Sequence, residues 1–259
     1  MESEIKAVIL EGEEAFEIEI NNEIITGYFH DTGNGPVGIY LHGFRSHCNG
    51  EKSLEIARHA ILHGRSWIRF DMRGHGLSGG KLRDQLMSSS VRDASKVIDL
   101  AGNRPIVLHG SSMGGWISLV IAMQRRAQAR GLMLIAPAFN FIQHNFSSLP
   151  GNILQQWESD RYMSFPDAYG GDPYTLSFDL LEDAQQYDVM DPPVSLDIPV
   201  HIVHGQNDPI VQVENTEKFI QRAQLPRLSF ERVPNAEHRL TEHLPLILGH
   251  IDQLWQEID

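Results

Sequence analysis

"PIVLHGSSMGGW", residues 105–116, decides how the rest of the chain is read. Its first half, Pro105 to His109, has the composition of a strand buried on both faces. The apolar run that follows, Gly115 to Met123, suits a helix packed under a sheet. Between them Gly110-Ser111-Ser112-Met113-Gly114 fits G-x-S-x-G, centred on Ser112. A strand-to-helix turn this tight tolerates only small neighbours, and it lifts one hydroxyl clear of the backbone. Ser112 is therefore the candidate nucleophile. The Met113 N–H, at the helix start, is expected to face the same space. A nucleophile at Ser111 would have histidine instead of glycine two residues earlier, so Ser111 is read as a packing neighbour.

A serine hydroxyl needs a base to attack a carbonyl. The chain has 13 histidines, so position must select among them. "VHIVHGQNDPIV" ends a strand with Asp208 in a polar turn, and "VPNAEHRL" follows the last strand with His238. Ser112, Asp208 and His238 thus come in the chain order nucleophile, acid, histidine, each just past a strand. The expected roles are nucleophile, orienting carboxylate and general base/acid. "IYLHGFRSHCNG" ends an early strand in His42-Gly43-Phe44, where a His-Gly-x turn would offer the Phe44 N–H as a second oxyanion donor beside Met113.

Working outward, "FEIEINNEIITGYFH" alternates and reads as an antiparallel hairpin turning at Asn21-Asn22. Then come "VGIYLHG", "SWIRFDMRG", "PIVLHGSS", "GLMLIAPA", "PVHIVHGQND" and "RLSFERVP", short runs rich in Val, Ile and Leu. Helical spacing appears between them over Glu51–His63, Val91–Ala101 and Gly115–Met123, and a closing helix is expected from about Leu240 to Ile258. Strand alternating with helix predicts an α/β fold with a mostly parallel, doubly wound sheet. From Phe139 to Tyr187 no strand is evident, yet 10 of the 21 aromatic residues lie there. That segment is read as a small helical cap, about 139–190, inserted in a single domain spanning 1–259, over the strand ends where ligands bind.

Composition excludes other classes. The net charge of -13 repels phosphate backbones, so nucleic acid is not an expected partner. The single cysteine, Cys48, forbids an internal disulfide, and as no elbow surrounds it, it reads as a loop thiol. The acidic start has no apolar core of a secretory signal, and "WISLVIAM" is too short to span a bilayer, so a cytoplasmic location is expected. No H-E-x-x-H, paired-Cys spacing or early G-x-G-x-x-G appears, so neither metal nor cofactor is expected. His42 and His109 are assigned structural hydrogen bonds, His75 a turn, and His243 and His250 ordinary packing. Asp188 and Asp191, which rival Asp208, precede their strand and read as surface residues.

The turn at His42-Gly43-Phe44, "FDMRGHGLSGG", "GSSMGGW", "HGQNDPIV" and "AEHRL" together resemble the α/β-hydrolase superfamily over nearly the whole chain. "GSSMGGW" and the cap-to-C-terminus stretch look like the small branch that includes acyl-protein thioesterases and acyl-glucuronide esterases. The resemblance implies a serine hydrolase acting on acyl esters or thioesters. Its departure is Ala236-Glu237 before His238, where an Asp-containing approach is frequent. Two rivals stand beside this reading. One is a peptidase or amidase on the same apparatus, with Glu158, Asp160, Asp167, Asp172, Glu182 and Asp183 of the cap available to a substrate amine. The other is a ligand-binding receptor with a vestigial site.

Overall fold

Alternating Phe16, Ile18 and Ile20 face inward from β1 (Glu14–Ile20), which pairs antiparallel with β2 (Glu23–His30). The two strands turn at Asn21 and Asn22, both left-handed at φ 50 and 63, as a two-residue hairpin of this hand requires. The computed structural model describes residues 5–167 and 170–258. After the hairpin come β3 (Val37–Leu41), α1 (Glu51–Leu62), β4 (Ser66–Phe70), α2 (Met87–Ile98), β5 (Ile106–Ser111), α3 (Met113–Gln124) and β6 (Ala129–Ile135). Then follow α4 (Phe141–Phe146), α5 (Gly151–Asp160), β7 (Tyr162–Phe165), β8 (Tyr174–Ser177) and α6 (Asp179–Ala184). The chain closes with β9 (Val200–Gly205), α7 (Val213–Arg222), β10 (Leu228–Val233) and α8 (Leu244–Ile258).

Eight strands form one sheet in the order β1-β2-β4-β3-β5-β6-β9-β10, parallel from β4 to β10. Every residue of β3, β4, β5 and β9 is buried, which is why these strands lack polar alternation. Ile56, Ala57, Ala60, Ile247, Ile251 and Leu254 of α1 and α8 join Tyr40, Val107 and Met133 in one core. On the other face Val91, Ala94 and Trp116 of α2 and α3 join Ile39, Leu108 and Leu132. The chain leaves β3 toward β4, then crosses back to place β5 on β3's other side. Loops after β3 and β5 therefore diverge, opening the crevice at which this architecture binds ligands.

Two helix boundaries differ from expectation. The second helix begins at Met87 and not near Val91, because its first turn is tied from outside: the Ser88 N–H donates to Asp183 (2.8 Å), while the Leu86 N–H reaches Ser89 Oγ (3.2 Å). The last helix begins at Leu244, because Leu240 is left-handed (φ 53) and Thr241–His243 form only a short turn.

Between β6 and β9 the expected all-helical cap is corrected. Alongside α4, α5 and α6 it holds the antiparallel ribbon β7–β8. Each strand has only four residues, too few for alternation to show. Fully buried Trp157 braces the ribbon by donating its indole N–H to Leu176 O (3.1 Å), and it meets Phe146, Phe165 and Phe178 edge-to-face at 5.0–5.4 Å between centroids. Tyr169 lies outside the described residues. No helix among the described residues is long and apolar enough to cross a membrane.

Candidate active site

Ser112 sits between β5 and α3 at φ 55, ψ −120, a conformation that costs a non-glycine residue roughly 1–3 kcal/mol. The surroundings enforce it. The Ser112 N–H donates to Ile135 O (2.9 Å), and its carbonyl accepts from Gly115 (2.9 Å) and Ala138 (3.1 Å). A side chain at Gly110 would lie 2.3 Å from Gly114 O, and one at Gly114 would lie 2.1 Å from Leu41 O. The small residues flanking the serine are therefore required by contact, as the sequence pattern implied.

The structure brings Asp208 and His238 to Ser112. His238 Nε2 stands 3.0 Å from Ser112 Oγ, and His238 Nδ1 stands 2.6 Å from Asp208 Oδ2. This arrangement places the ring proton on Nδ1, donated to the carboxylate, and leaves Nε2 to accept the serine proton. The other oxygen of Asp208 accepts the N–H groups of Ile210 and Val211, both at 2.8 Å. Burial alone would raise its pKa, but the hydrogen bonds from His204 and His238 outweigh that and hold the carboxyl well below the usual range.

His204 is a site residue that sequence reasoning missed. Fully buried on β9, its Nε2 lies 3.1 Å from Asp208 Oδ2 and 2.9 Å from Val211 O. Both neighbours are acceptors, so Nε2 carries the proton, and Nδ1 accepts from the Thr216 hydroxyl at 2.9 Å. Asp208 is thus held between two histidines. The available signal was His204-Gly205 at the strand end, four residues before Asp208, which reads as ordinary strand sequence.

The turn after β3 lies against the serine: a side chain at Gly43 would come 3.1 Å from Ser112 Cβ. Buried His42 fixes this turn from beneath. Its Nε2 accepts the Met72 N–H (3.0 Å) and its Nδ1–H donates to Gly43 O (2.8 Å). In a trans peptide the N–H points opposite the carbonyl, so holding Gly43 O down turns the Phe44 N–H away from His42. Met113 is the first residue of α3, whose N–H lies outside the helical hydrogen-bond ladder. Among the described residues neither amide is bonded within the protein. Buried Arg69 anchors the loop beyond. It donates to Cys48 O (3.0 Å) and Asn49 Oδ1 (2.9 Å), and on its other side to Val8 O (2.6 Å) and the fully buried Glu13 carboxylate (2.5 Å).

A cavity of about 660 Å³ opens over Ser112 and His238. Phe44, Ala138, Phe141, Phe146 and Tyr174 supply an apolar wall, with Phe44 and Tyr174 edge-to-face at 5.3 Å. Lys52, His47 and Arg239 line the other side. Arg45 clasps the cap, pairing with Asp167 (3.1 Å), donating to Asp172 O (3.3 Å) and covering the Tyr174 ring.

The remaining expected residues separate clearly. Ser111 is buried and accepts from Lys52 Nζ (3.2 Å). Cys48 is buried, and burial, followed by the Asp71 charge, pushes its thiol well above the usual range, as suits an unreactive side chain. Asp188 accepts from Asn140 (2.6 Å), and Asp191 is exposed. The Glu237 side chain is exposed. One assignment is corrected: His109 makes no hydrogen bond through either ring nitrogen, because it is enclosed by Trp67 and Trp255 with ring centroids at 4.6 and 6.4 Å. His250 is tied to Glu231 (2.7 Å) and to His201 (3.2 Å). At the end of α1, His59, His63 and Asp252 gather their donor atoms within 4.8 Å, although Arg65 already bonds Asp252 (2.8 Å).

A serine on a strained strand-to-helix turn, with histidine and aspartate on loops from later strands, defines the hydrolases of the α/β-hydrolase fold. The chain belongs to the hydrolase family described as serine aminopeptidase S33, whose model matches residues 37–243. It is 28% identical over 225 residues to the rat mitochondrial palmitoyl-protein thioesterase ABHD10, covering 86% of this chain and 76% of that protein. It is also 24% identical to a monoacylglycerol lipase of Mycolicibacterium smegmatis, covering 81% and 83%. Among solved structures, the mouse alpha/beta hydrolase domain-containing protein 10 superimposes with a TM-score of 0.86 at 23% identity, covering 95% of this chain and 100% of that one. Est1E from Butyrivibrio proteoclasticus with bound ferulic acid superimposes at 0.80 and 22%, covering 94% and 98%. The protein is a hydrolase of this fold.

Proposed function

We propose that this protein hydrolyses carboxylic esters or thioesters through an acyl-enzyme on Ser112. The observation that carries the reading is the unbroken chain Ser112 Oγ–His238–Asp208, at 3.0 and 2.6 Å, under a cavity with an aromatic wall. His238 Nε2 takes the Ser112 proton as Oγ attacks the acyl carbonyl. The oxyanion is received by the Phe44 and Met113 N–H groups; one such donor is worth about 2.7–4 kcal/mol of transition-state stabilisation. His238 then protonates the leaving alcohol or thiol, and the same ring activates water to release the acid. Asp208 keeps the ring in the required tautomer and offsets its charge. The segment from Phe139 to about 190 acts as a cap that shapes the acyl site. The names of the relatives, a thioesterase and a lipase, support the substrate class.

A peptidase reading is favoured by the family description. It needs a cap carboxylate for the substrate amine. Among the described residues, Asp167 is the one cap carboxylate that lines the cavity, and Arg45 already pairs with it. Asp183 caps α2 and Glu182 faces Arg161. Ester hydrolysis is therefore the better fit. The test is a panel of p-nitrophenyl esters, acyl thioesters and aminoacyl amides, together with fluorophosphonate labelling, on wild type and Ser112→Ala. Wild type should label and cleave the esters and thioesters, and the variant should do neither. Turnover retained by folded Ser112→Ala removes Ser112 from the mechanism.

A further inference from the structure

The protein repels anions as a whole, with a net charge of -13, yet two cations line the cavity beside the reacting serine. Lys52, in the first turn of α1, reaches inward to donate to Ser111 Oγ at 3.2 Å, one residue from Ser112. Ser111 and Tyr40 line the same cavity, so the lysine rests against polar side chains. Among the described residues Lys52 has no carboxylate within ion-pair distance. Arg239, exposed at the cavity mouth, acts on it as a like charge. Holding a half-buried ammonium next to a second cation is unfavourable in the empty protein. Burial first, then Arg239, pulls the ammonium down to about 8, while Asp208 opposes them. Such a group is stabilised when an anion arrives.

The side on which that anion sits follows from the proposed chemistry. His238 must protonate the leaving atom, so the leaving group lies on the histidine's side of Ser112. Arg239 is the next residue in the chain, while the aromatic wall of Phe44, Phe141 and Tyr174 is left for the acyl group. Resting on the hydrolase reading above, we infer that Lys52 and Arg239 form an anion subsite for the leaving group. The preferred substrates are then acyl esters or thioesters whose alcohol or thiol carries a carboxylate or phosphate.

The test compares butyryl thioesters of three thiols: neutral N-acetylcysteamine, carboxylate-bearing thioglycolate and phosphorylated phosphopantetheine. The wild type should show kcat/KM at least about 10-fold higher for one or both charged thioesters than for the neutral one, the scale of one hydrogen bond to a charged group. Which charged arm leads identifies carboxylate or phosphate. The preference should shrink as NaCl rises from about 0.05 to about 0.5 M, since salt screens it. It should fall about 10-fold or more in Lys52→Gln and be partly restored in Lys52→Arg. It should also weaken above pH about 8, as Lys52 loses its proton in the field of Arg239 and Asp208, with His47 and Glu51 also facing the cavity. If Lys52→Gln does not fold, competition by the free charged and neutral thiols against wild-type turnover reads the same preference. Equal kcat/KM for all three thioesters, or a preference unchanged in folded Lys52→Gln, overturns the subsite and leaves the hydrolase reading standing. A wild type that neither labels with fluorophosphonate nor cleaves the neutral thioester overturns both.

Discussion

The floor of the cavity and its cap are held by different physics. On the floor each candidate group is pinned by polar contacts from the sheet ends: Ser112 by four backbone bonds, Asp208 by two amides and two histidines, the Gly43–Phe44 peptide by His42. The cap is assembled from edge-to-face ring packing around Trp157 and joined to the floor by a few polar ties, among them Trp116 Nε1–H to Tyr187 O (2.9 Å) and Arg45 to Asp167. Directional bonds fix positions to fractions of an ångström, whereas apolar contact tolerates repacking. Under the proposed mechanism the chemistry belongs to the floor and the choice of acyl group to the cap.

Changes on the floor should therefore abolish turnover with little loss of fold, and changes in the cap should do the reverse. The largest effect is expected for Asp208→Asn, which leaves His238 in the wrong tautomer and lowers kcat by about 10⁴-fold. Steady-state kinetics on a short ester checks it, and a loss below about 10-fold would break the assignment of Asp208. Next is Trp157→Ala, which empties the centre of the cap and should cost about 3–5 kcal/mol of stability. In urea unfolding and an acyl-length series, the variant should lose stability and discrimination between acyl lengths while short-ester kcat changes least.

A smaller effect separates two contributions within the floor itself. His204→Phe removes one donor to a carboxylate, worth about 1.5–3 kcal/mol, and leaves the His238–Asp208 bond in place. We expect a fall in kcat of about 10–100-fold at similar KM, and a shifted acid limb in the pH profile of kcat/KM. An unshifted limb would make His204 a packing residue only.

A further effect is read in acid. Burial holds His42 at about 4, with the Gly43 hydrogen bond opposing, and desolvation likewise holds His75 and His109 at about 3. Each lies below the unfolded value of about 6.5, so the unfolded chain takes up protons first as pH falls. Stability from these groups is complete above about pH 6.5 and declines as pH drops, to about 4 for His42 and about 3 for His75 and His109. Asp208, held low instead, adds its own loss only as pH falls below about 4. Thermal unfolding from pH 7.5 to about 3 should show both stages, and His109→Phe should flatten the first.

Much of this was legible in the chain itself, for a physical reason. The elbow glycines, the Asn21-Asn22 turn and the order Ser112, Asp208, His238 are constraints imposed locally or by strand order, and both leave marks in sequence. What stayed hidden depends on contacts between distant segments. Nothing in the sequence marks Lys52 until α1 packs on β4 and α8 and its first turn brings the ammonium to Ser111. His204 reads as strand until Thr216 and Asp208 close around it. The β7–β8 ribbon is too short for its alternation to register. His109, at the end of a strand near the site, reads as a hydrogen-bonded residue, and the enclosing tryptophans show otherwise.

Arg69 ties the two ends of this description together. Its guanidinium bonds the N-terminal residues Val8 and Glu13 with one hand and the Cys48–Asn49 loop, just beyond Phe44, with the other. Residues 8–13 are therefore a splint for the loop that follows β3 as well as a lead-in to the sheet. An expression tag or protease cut that disturbs residues 8–13 takes from the buried guanidinium its carboxylate and one carbonyl, leaving it only Cys48 and Asn49 as hydrogen-bond partners. Its damage would register as lost turnover, at a distance from every residue that touches the substrate.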